Sequence, residues 1–220
     1  MDLKQYQLLT QSGVKILQRE TVYIEQSVKV GRNTVIEPFC VLLGDTVVEE
    51  NCRIGSFCYL RNAFIMAGTE IDASRVTDST VGQHCVVGPF ARLRTNAEVE
   101  DFCKVGNFVE IKKSTFGSGS KASHLAYIGD ATVGKDCNVG CGVIFVNYDG
   151  KTKHRTTVGD GTFLGCNSNL VAPLNISGNC FVACGTTVTK DTKEEDFVIG
   201  RCHETVKSNR AKKYLRRREQ

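Results

Sequence analysis

Residues 30–60 decide the fold, and they read V-G-R-N-T-V, I-E-P-F-C-V, L-L-G-D-T-V, V-E-E-N-C-R, I-G-S-F-C-Y and L. An aliphatic residue opens each group of six: Val30, Ile36, Leu42, Val48, Ile54 and Leu60. The fifth position of each group is usually small: Thr34, Cys40, Thr46, Cys52, Cys58 and then Phe64. A period of six matches neither an amphipathic helix nor a half-buried strand, so it indicates a repeat architecture.

The hexads predict an all-β protein, a left-handed parallel β-helix. Six residues make one short strand and one turn, and three such units close a triangular coil whose first and fifth positions point inward. Stacked coils pair their strands in parallel at about 4.8 Å. The left-handed crossover runs against the usual preference, so the hexads alone, and not the composition, identify this fold.

The repeat divides the chain into three parts. Residues 1–27 are a lead-in with a possible short helix, residues 28–193 form the β-helix, and residues 194–220 form a C-terminal strand and a basic arm. Since a β-helix has no internal cavity, sites form where loops leave a face or between chains. Two polar stretches, residues 113–128 and 145–157, interrupt the hexads and are predicted to be such loops.

Composition excludes several classes of protein. The 220 residues include 21 glycines, three prolines and no tryptophan, which disfavours a helical bundle. No apolar run approaches the roughly 20 residues of a membrane-spanning helix, and the first residues lack the apolar core of a signal peptide. Eleven cysteines without such a signal predict a reducing, cytoplasmic location and free thiols.

The net charge of +4 is concentrated at the C-terminus. Residues 206–220 contribute +6, so the other 205 residues carry −2. This describes a nearly neutral body with a basic tail, and neither a nucleic-acid partner nor a membrane partner is expected. The tail is either a solvated segment or an arm that recruits the phosphates of an anionic cofactor.

Most cysteines follow the repeat. Seven occupy the small fifth position as compact apolar fillers: Cys40, Cys52, Cys58, Cys85, Cys103, Cys137 and Cys180. Cys166 and Cys184 are separated by three hexads, one full coil, and should stack on neighbouring coils. No C-x-x-C pair occurs and the histidines are widely spaced, so no metal site is expected.

His124 is the histidine with the most chemistry around it. An imidazole titrates near neutral pH and can serve as a general base. Arg94, Lys112 and Lys113 lie on preceding coils and can bind an anionic group, while Glu110 is placed to orient or polarise His124.

Four segments resemble a known family. They are V-G-N-F-V-E-I-K-K-S from residue 105, G-S-K-A-S-H-L-A-Y-I-G-D from 119, N-Y-D-G-K-T-K-H from 147 and N-L-V-A-P from 169. They are similar to the C-terminal acetyltransferase domain of bacterial bifunctional N-acetylglucosamine-1-phosphate uridyltransferase / glucosamine-1-phosphate N-acetyltransferase, a hexapeptide-repeat acyltransferase. The resemblance covers roughly residues 21–201. It implies transfer of acetyl from acetyl-CoA to glucosamine 1-phosphate, on the route to UDP-N-acetylglucosamine, peptidoglycan and lipopolysaccharide.

The resemblance also implies roles for single residues and a homotrimer with active sites between subunits. His124 is the catalytic base and Asn147 a further catalytic candidate by this resemblance, while Glu110 is a catalytic candidate from its expected place beside His124. The implied sugar-phosphate ligands are Arg94, Lys112, Tyr127, Asn138 and Lys153. The implied acetyl-CoA contacts are Cys141, Asn147, Tyr148, Cys166, Cys184 and Arg201.

Three of those positions depart from the family pattern. Cys141 and Cys184 stand where the family has alanine, and Cys166 stands where it has serine, so a good hydroxyl donor is replaced by a weak one. About 29 residues precede the first hexad, and neither uridylyl transfer nor a magnesium requirement is expected from them. Two alternatives stay open: a hexapeptide acyltransferase with another acceptor, and a non-catalytic trimeric binding subunit.

Overall fold

One sheet of 26 short strands runs through nearly the whole molecule. The computed structural model describes residues 3–215. The strands pair in parallel, mostly each with the third strand further along the chain, so three strands complete one turn of a solenoid of about ten turns. This confirms the left-handed parallel β-helix that the hexads predict.

The elements are short and follow one another closely. One α-helix, α1, spans Leu3–Gln11, and 3-10 turns cover Arg19–Thr21 and Ala211–Lys213. The strands are β1 Lys15–Ile16, β2 Tyr23–Ile24, β3 Lys29–Val30, β4 Val35–Ile36, β5 Val41–Leu43, β6 Val47–Val48, β7 Arg53–Ile54, β8 Tyr59–Ile65, β9 Glu70–Ile71, β10 Arg75–Val81, β11 Val86–Val87, β12 Arg92–Arg94, β13 Glu98–Val99, β14 Lys104–Lys112, β15 Thr115–Phe116, β16 Lys121–Gly129, β17 Ala131–Val133, β18 Asn138–Val139, β19 Ile144–Val146, β20 Thr156–Val158, β21 Phe163–Leu164, β22 Asn169–Val171, β23 Leu174–Ile176, β24 Phe181–Val182, β25 Thr187–Val188 and β26 Phe197–Val198.

The core is the inside of the coil, and the hexad positions fill it as predicted. The aliphatic first positions Ile36, Leu42, Ile54 and Leu60 are completely buried. Each such side chain stabilises the fold by about 1.5–3 kcal/mol relative to an exposed one. The fifth positions are also inside, including the seven cysteines expected there: Cys40, Cys52, Cys58, Cys85, Cys103, Cys137 and Cys180.

The prediction of Phe64 as an inward fifth position is wrong. Phe64 is half-buried and lies opposite Val47 in the register, whereas Ala63 is buried and its N–H donates to Thr46 on the coil before. This coil is one residue shorter than the first coils, so Phe64 moves out of register with the hexads and the small neighbour takes the inward place.

Coil length explains the interruptions of the hexads. Side chains that meet across stacked coils are 18 residues apart at Asn33 and Asn51, 16 at Asn62 and Asp78, and 17 at Asn107 and His124. The separation rises to 25 residues at Lys135 and Asp160, and it returns to 18 at Asn169 and Thr187. The predicted loop at 145–157 is therefore an insertion into one coil, which leaves the sheet as residues 147–155.

The second predicted loop, at residues 113–128, is wrong. Strands β15 and β16 lie there in regular register, and β16 runs unbroken from Lys121 to Gly129. The coil loses one residue between Lys112 and Thr115, because the pairing distance falls there from 18 to 17 residues, and it stays aligned with its neighbours. His124 therefore lies on a strand at a corner of the coil rather than in a loop.

An apolar ridge follows that same corner along the outside of the solenoid. Phe39, Phe57, Phe90, Phe108 and Leu125 all have a positive φ and exposed side chains. Phe39 stacks on Phe57 with ring centroids 5.1 Å apart, and Phe90 stacks on Phe108 at 5.6 Å. A positive φ is uncommon for bulky residues, so this corner imposes its conformation whatever side chain it carries.

The ends of the solenoid extend beyond the hexads. Strands β1 and β2 already pair with β4 and β5, so the coils begin at Lys15, upstream of the expected start at residue 28. The expected N-terminal helix is α1, and the expected final strand is β26. The basic arm is exposed at residues 206–211 and 213–215, and its residues 216–220 lie outside the described part. Within residues 3–215, no helix is long and apolar enough to cross a membrane.

Candidate active site

The strand register lines up His124 with three exposed cysteines. Asn107 on β14 pairs directly with His124 on β16. The next pairs along the stack are Ala122 with Val139, Val139 with Leu164, and Leu164 with Val182. These residues lie two positions before His124, Cys141, Cys166 and Cys184, so the same register aligns His124 with the three cysteines. These three cysteines, all exposed, are named here the cysteine corner. Neighbouring members are about 4.8 Å apart, because that is the spacing of paired strands.

His124 is oriented by an amide at the head of this column. Its Nδ1 lies 2.7 Å from the Oδ1 of Asn107. An amide oxygen only accepts hydrogen bonds, so this contact places the imidazole proton on Nδ1. The lone pair on Nε2 is then free to take a proton from a bound substrate.

The expectation that Glu110 orients His124 is corrected by the register. Glu110 pairs with Arg92 and Tyr127 across the stack, and its Oε1 accepts a hydrogen bond from Arg94 Nε at 2.7 Å. Asn107 takes the expected role, because it is the residue one coil before His124. The sequence feature that could have identified Asn107 is its spacing of 17 residues from His124, but this spacing indicates a contact only once the coil is known to be one residue short.

A buried ion pair lies on the next face. Lys112 Nζ is 2.7 Å from Asp130 Oδ2, and the side chains are only 8% and 9% exposed. Burial lowers the pKa of Lys112, but the hydrogen bond to Asp130 and the charge of that carboxylate together hold the pKa above the usual value. Burial raises the pKa of Asp130, but the hydrogen bonds from Lys112 and Asn147 and the nearby lysine charges together hold this pKa below its usual value. Both groups are therefore charged at neutral pH.

Asn147 joins this pair from the inserted loop. Its Nδ2 donates to Asp130 Oδ2 at 2.5 Å and lies 3.4 Å from the Tyr127 hydroxyl. The Tyr127 ring crosses Gly129, where a Cβ would collide with the phenol. A shallow groove opens beside this cluster, and its walls include Phe108, Glu110, Leu125, Tyr127 and Ile144.

Four cations meet two carboxylates around Lys112. Lys153 lies beside Lys112, whose positive charge lowers the pKa of the exposed Lys153, and Arg94 is near enough to add to this effect. Lys113 Nζ is 3.9 Å from Asp130 Oδ1. The anions are Asp130 and Glu110, which also lies 4.0 Å from Arg92, so the cluster keeps a net positive charge.

The loop that carries Asn147 and Lys153 is folded around Asp149. Its carboxylate accepts hydrogen bonds from the N–H groups of Lys151 at 2.8 Å and Thr152 at 2.7 Å, and His154 Nε2 lies 2.7 Å from its second oxygen. The backbone hydrogen bond from Thr152, followed by the His154 contact, holds the pKa of Asp149 well below its usual range. Tyr148, exposed, donates its hydroxyl to the carbonyl of Gly150.

Two of the candidate residues lie away from Lys112. Arg201 is at the far end of the cysteine corner, where its Nη1 is 3.2 Å from the Cys184 carbonyl and 3.1 Å from its Sγ. Asn138 lies on another face, where it pairs with Lys121 and Phe163. One chain thus brings together Arg94, Lys112, Tyr127, Asn147 and Lys153, but not Asn138. Among the described residues, no group of three His, Cys, Asp or Glu side chains is placed to hold a metal ion.

Comparison with solved structures identifies the fold. UDP-N-acetylglucosamine acyltransferase from Francisella novicida superimposes with a TM-score of 0.56 and 16% identity, covering 80% of this chain and 63% of that one. LpxA from Bacteroides fragilis gives a TM-score of 0.54 and 18% identity, covering 82% and 70%. These chains therefore share the fold of this chain, a parallel β-helix.

Comparison of sequences is more specific. The chain is 48% identical over 198 residues to the bifunctional protein GlmU of Geobacillus sp. (strain WCH70), and 42% identical over 208 residues to that of Clostridium novyi (strain NT). These alignments cover 90% and 94% of this chain, but only 43% and 46% of the relatives, so the chain spans less than half their length. Residues 18–101 also match the GMPPB C-terminal domain. The chain resembles the C-terminal acetyltransferase domain of GlmU, as the four segments indicate.

Proposed function

We propose that this chain transfers the acetyl group of acetyl-CoA to the amine of glucosamine 1-phosphate, with His124 as general base. The observation that carries the proposal is the alignment of His124 with the cysteine corner, one residue per coil, and the groove that runs from Leu125, next to His124, to Glu110 and Tyr127. This groove joins the proposed base and cofactor column to the face that carries the cationic cluster.

The cationic cluster supports a phosphorylated acceptor. Its net positive charge complements a phosphate monoester, which carries close to two negative charges at neutral pH. Arg94 and Lys112 are partly committed to Glu110 and Asp130, while the exposed Lys153 keeps its charge free of a carboxylate partner within 4 Å among the described residues. A phosphate-free acceptor such as serine would leave this charge unbalanced.

The cysteine corner is the proposed seat of acetyl-CoA. Arg201 places a guanidinium at its far end, where it can bind a phosphate of the cofactor. The thioester then lies at the near end, next to His124, with Asn147 and Tyr148 on the inserted loop. The three cysteine side chains are small and apolar enough to line the cofactor's arm.

The reaction proposed is direct transfer within a ternary complex. Tyr127 and the cationic cluster hold the sugar phosphate so that its neutral amine attacks the thioester carbon. Nε2 of His124 takes the proton, and Asn107 stabilises the imidazolium that forms, because its amide oxygen accepts the Nδ1 proton. The CoA thiolate leaves and takes up a proton, which His124 is placed to return.

A homotrimer with active sites between subunits is part of the proposal. Support comes from the exposed apolar ridge of Phe39, Phe57, Phe90, Phe108 and Leu125, which flanks the column of His124. Support also comes from Asn138, which lies on a different face from Lys112. A sugar-binding role for Asn138 requires a neighbouring subunit that presents its own copy to this site.

The test is the release of CoA thiol from acetyl-CoA with glucosamine 1-phosphate, compared with glucosamine, serine and other phosphorylated amino sugars. We expect release with glucosamine 1-phosphate and at least tenfold lower kcat/KM for unphosphorylated glucosamine, because the cation cluster then has no partner. Turnover of a phosphate-free acceptor alone would replace this proposal with another acyltransferase activity. No turnover with any acceptor would leave a binding subunit.

A further inference from the structure

A carboxylate lies inside the site proposed for a phosphate. Asp130 is buried within the cationic cluster and charged, so it repels a bound dianion across a short distance. If the site bound phosphate through positive charge alone, the Asp130 carboxylate would only weaken that binding. Asp130 is not among the site residues that the resemblance implies.

Its contacts connect two parts of the site. The Oδ2 atom of Asp130 accepts hydrogen bonds from Lys112 Nζ at 2.7 Å and from Asn147 Nδ2 at 2.5 Å. Lys112 belongs to β14, and Asn147 begins the inserted loop that leaves the sheet after β19. One carboxylate oxygen therefore fixes both the cation proposed for the sugar phosphate and the amide proposed to lie at the thioester.

The backbone of Asp130 reinforces this connection. Its N–H donates to the carbonyl of Lys112 at 3.0 Å, and its carbonyl accepts the N–H of Thr156 at 3.3 Å, just after the loop returns to the sheet. Asp130 has a φ of 50°, a conformation that aspartate and asparagine adopt more readily than most residues. The residue thus contacts β14 and both ends of the inserted loop.

We infer that Asp130 is a positioning residue for the proposed acetyl transfer, which holds the Lys112 ammonium and the Asn147 amide in one fixed arrangement. The inference rests on the proposed function. It predicts that loss of the charge weakens binding of the sugar phosphate, although the repulsion of a nearby anion is removed. If Asp130 had no positioning role, loss of its charge should instead strengthen binding of the sugar phosphate.

Lys112 supplies a second readout. It is faced by Asp130, Lys153, Arg94 and the Tyr127 phenol, with Lys113 on the far side of Asp130. Asp130 is the only carboxylate in hydrogen-bond contact with the ammonium within the described chain. Without it, burial and the neighbouring cations both favour the neutral amine, so Lys112 loses its proton at a lower pH.

The test uses the full chain carrying Asp130→Asn, with Glu37→Gln as the matched control. Glu37 also forms a carboxylate ion pair, 2.6 Å from Arg53, on a distant coil. Asparagine tolerates the positive φ, so the backbone should be retained. We expect Asp130→Asn to lower kcat/KM for glucosamine 1-phosphate by about 10- to 100-fold, mainly through KM, since a hydrogen bond to a charged group is lost. The KM for acetyl-CoA should rise by a smaller factor, because the amide oxygen introduced at position 130 can still accept the hydrogen bond from Asn147. Both KM values of the Glu37→Gln enzyme should change less than twofold, about the effect of a neutral hydrogen bond at its weakest.

The pH profile separates positioning from simple structural damage. In Asp130→Asn the KM for glucosamine 1-phosphate should rise more steeply than in wild type as the pH increases from about 7 to 9, because Asp130 holds the pKa of Lys112 above the usual Lys value near 10.4 in wild type only. If Asp130→Asn does not fold, the pair Lys112→Met and Lys112→Met/Asp130→Asn decides. Removing both buried charges should be no worse for kcat/KM than removing Lys112 alone.

Three results would overturn the inference: a lower KM in Asp130→Asn, a variant indistinguishable from Glu37→Gln, or losses that multiply in the double variant. If wild type does not acetylate glucosamine 1-phosphate, the proposed function and the inference fail together. If wild type is active and Asp130→Asn behaves like the control, only the inference fails.

Discussion

The Nδ1 of His124 lies 2.7 Å from the amide oxygen of Asn107, on the coil directly before it. The two residues are strand partners in the sheet, so the orientation of the imidazole is built into the register of the solenoid. A regular backbone, rather than a loop, holds the proposed base. Both side chains are accessible at the corner, where a substrate can approach.

Replacing His124 with alanine should reduce kcat by roughly 10²–10⁴-fold, because the general base is removed. Binding of acetyl-CoA, measured by calorimetry, should change little, since the cysteine corner and Arg201 remain. Turnover close to that of wild type would refute the assignment of His124 as the base. The matched control is His84→Ala, which changes a histidine that lies elsewhere and stacks on Phe102.

Cys166→Ser should raise kcat by about two- to tenfold, because a hydroxyl donates a better hydrogen bond than a thiol to a developing oxyanion. Single-turnover kinetics would separate this effect from release of product. Cys184→Ser, one coil further from His124, is the control and should leave kcat unchanged. A decrease with Cys166→Ser would show that the thiol itself is preferred at this position.

A maleimide should inactivate the enzyme, and acetyl-CoA should protect it. The four exposed thiols are Cys141, Cys166, Cys184 and Cys202, and the first three form the cysteine corner proposed to bind the cofactor. The other seven cysteines are buried and should react slowly. The variant Cys141→Ala/Cys166→Ser/Cys184→Ala should resist the reagent. Retained activity after complete modification of Cys166, followed by mass spectrometry, would exclude this location for the cofactor.

Gly129→Ala should displace the Tyr127 ring, since an added Cβ collides with the phenol. The overpacking should cost about 1–3 kcal/mol of the free energy of unfolding. It should also raise the KM for glucosamine 1-phosphate by separating the Tyr127 hydroxyl from Asn147. Denaturant unfolding of Gly129→Ala, Tyr127→Ala and the double variant tests this. In a Tyr127→Ala background the alanine at 129 should cost little, and equal costs in both backgrounds would contradict the collision.

Asp149→Asn should loosen the inserted loop. The pKa of Asp149 is lowered in the folded protein, so its stabilising effect is fully present above the ordinary pKa of about 3.9 and is lost as the pH falls through the lower folded value. At neutral pH the wild-type loop should therefore be insensitive to small pH changes. Hydrogen exchange at the amides of Lys151 and Thr152 should be faster in the variant than in wild type. Unchanged exchange would show that the loop is held by other contacts.

The fold was predictable because each hexad is its own signal. Ile36, Leu42 and Ile54 mark the inside of the coil one after another, and no long-range information is needed to read them. The exact length of each coil was not predictable in this way. Where a coil is one residue shorter, the hexads fall out of step. For this reason Phe64 lies outward, and the stretch 113–128, which was expected to be a loop, contains the regular strand β16.

The candidate site was predictable as a list of residues, but not as a set of contacts. The partner of His124 is 17 residues away, and the partner of Lys112 is 18 residues away. Both are one coil distant, but Asp130 lies one residue beyond Gly129, the strand partner of Lys112. Sequence reasoning therefore selected Glu110 as the orienting group and omitted Asn107 and Asp130.

The inserted loop stands apart from the regular coils of the solenoid. Residues 147–155 leave the sheet between β19 and β20, while the coils above and below keep their regular parallel pairing. Since each coil contacts only its neighbours, an exchange of this segment leaves the inner packing and the column beneath it in place. The loop can therefore vary without a change in the coils. It carries Lys153, a determinant of what is acetylated under the proposed function, together with Asn147 and Tyr148 of the proposed cofactor site.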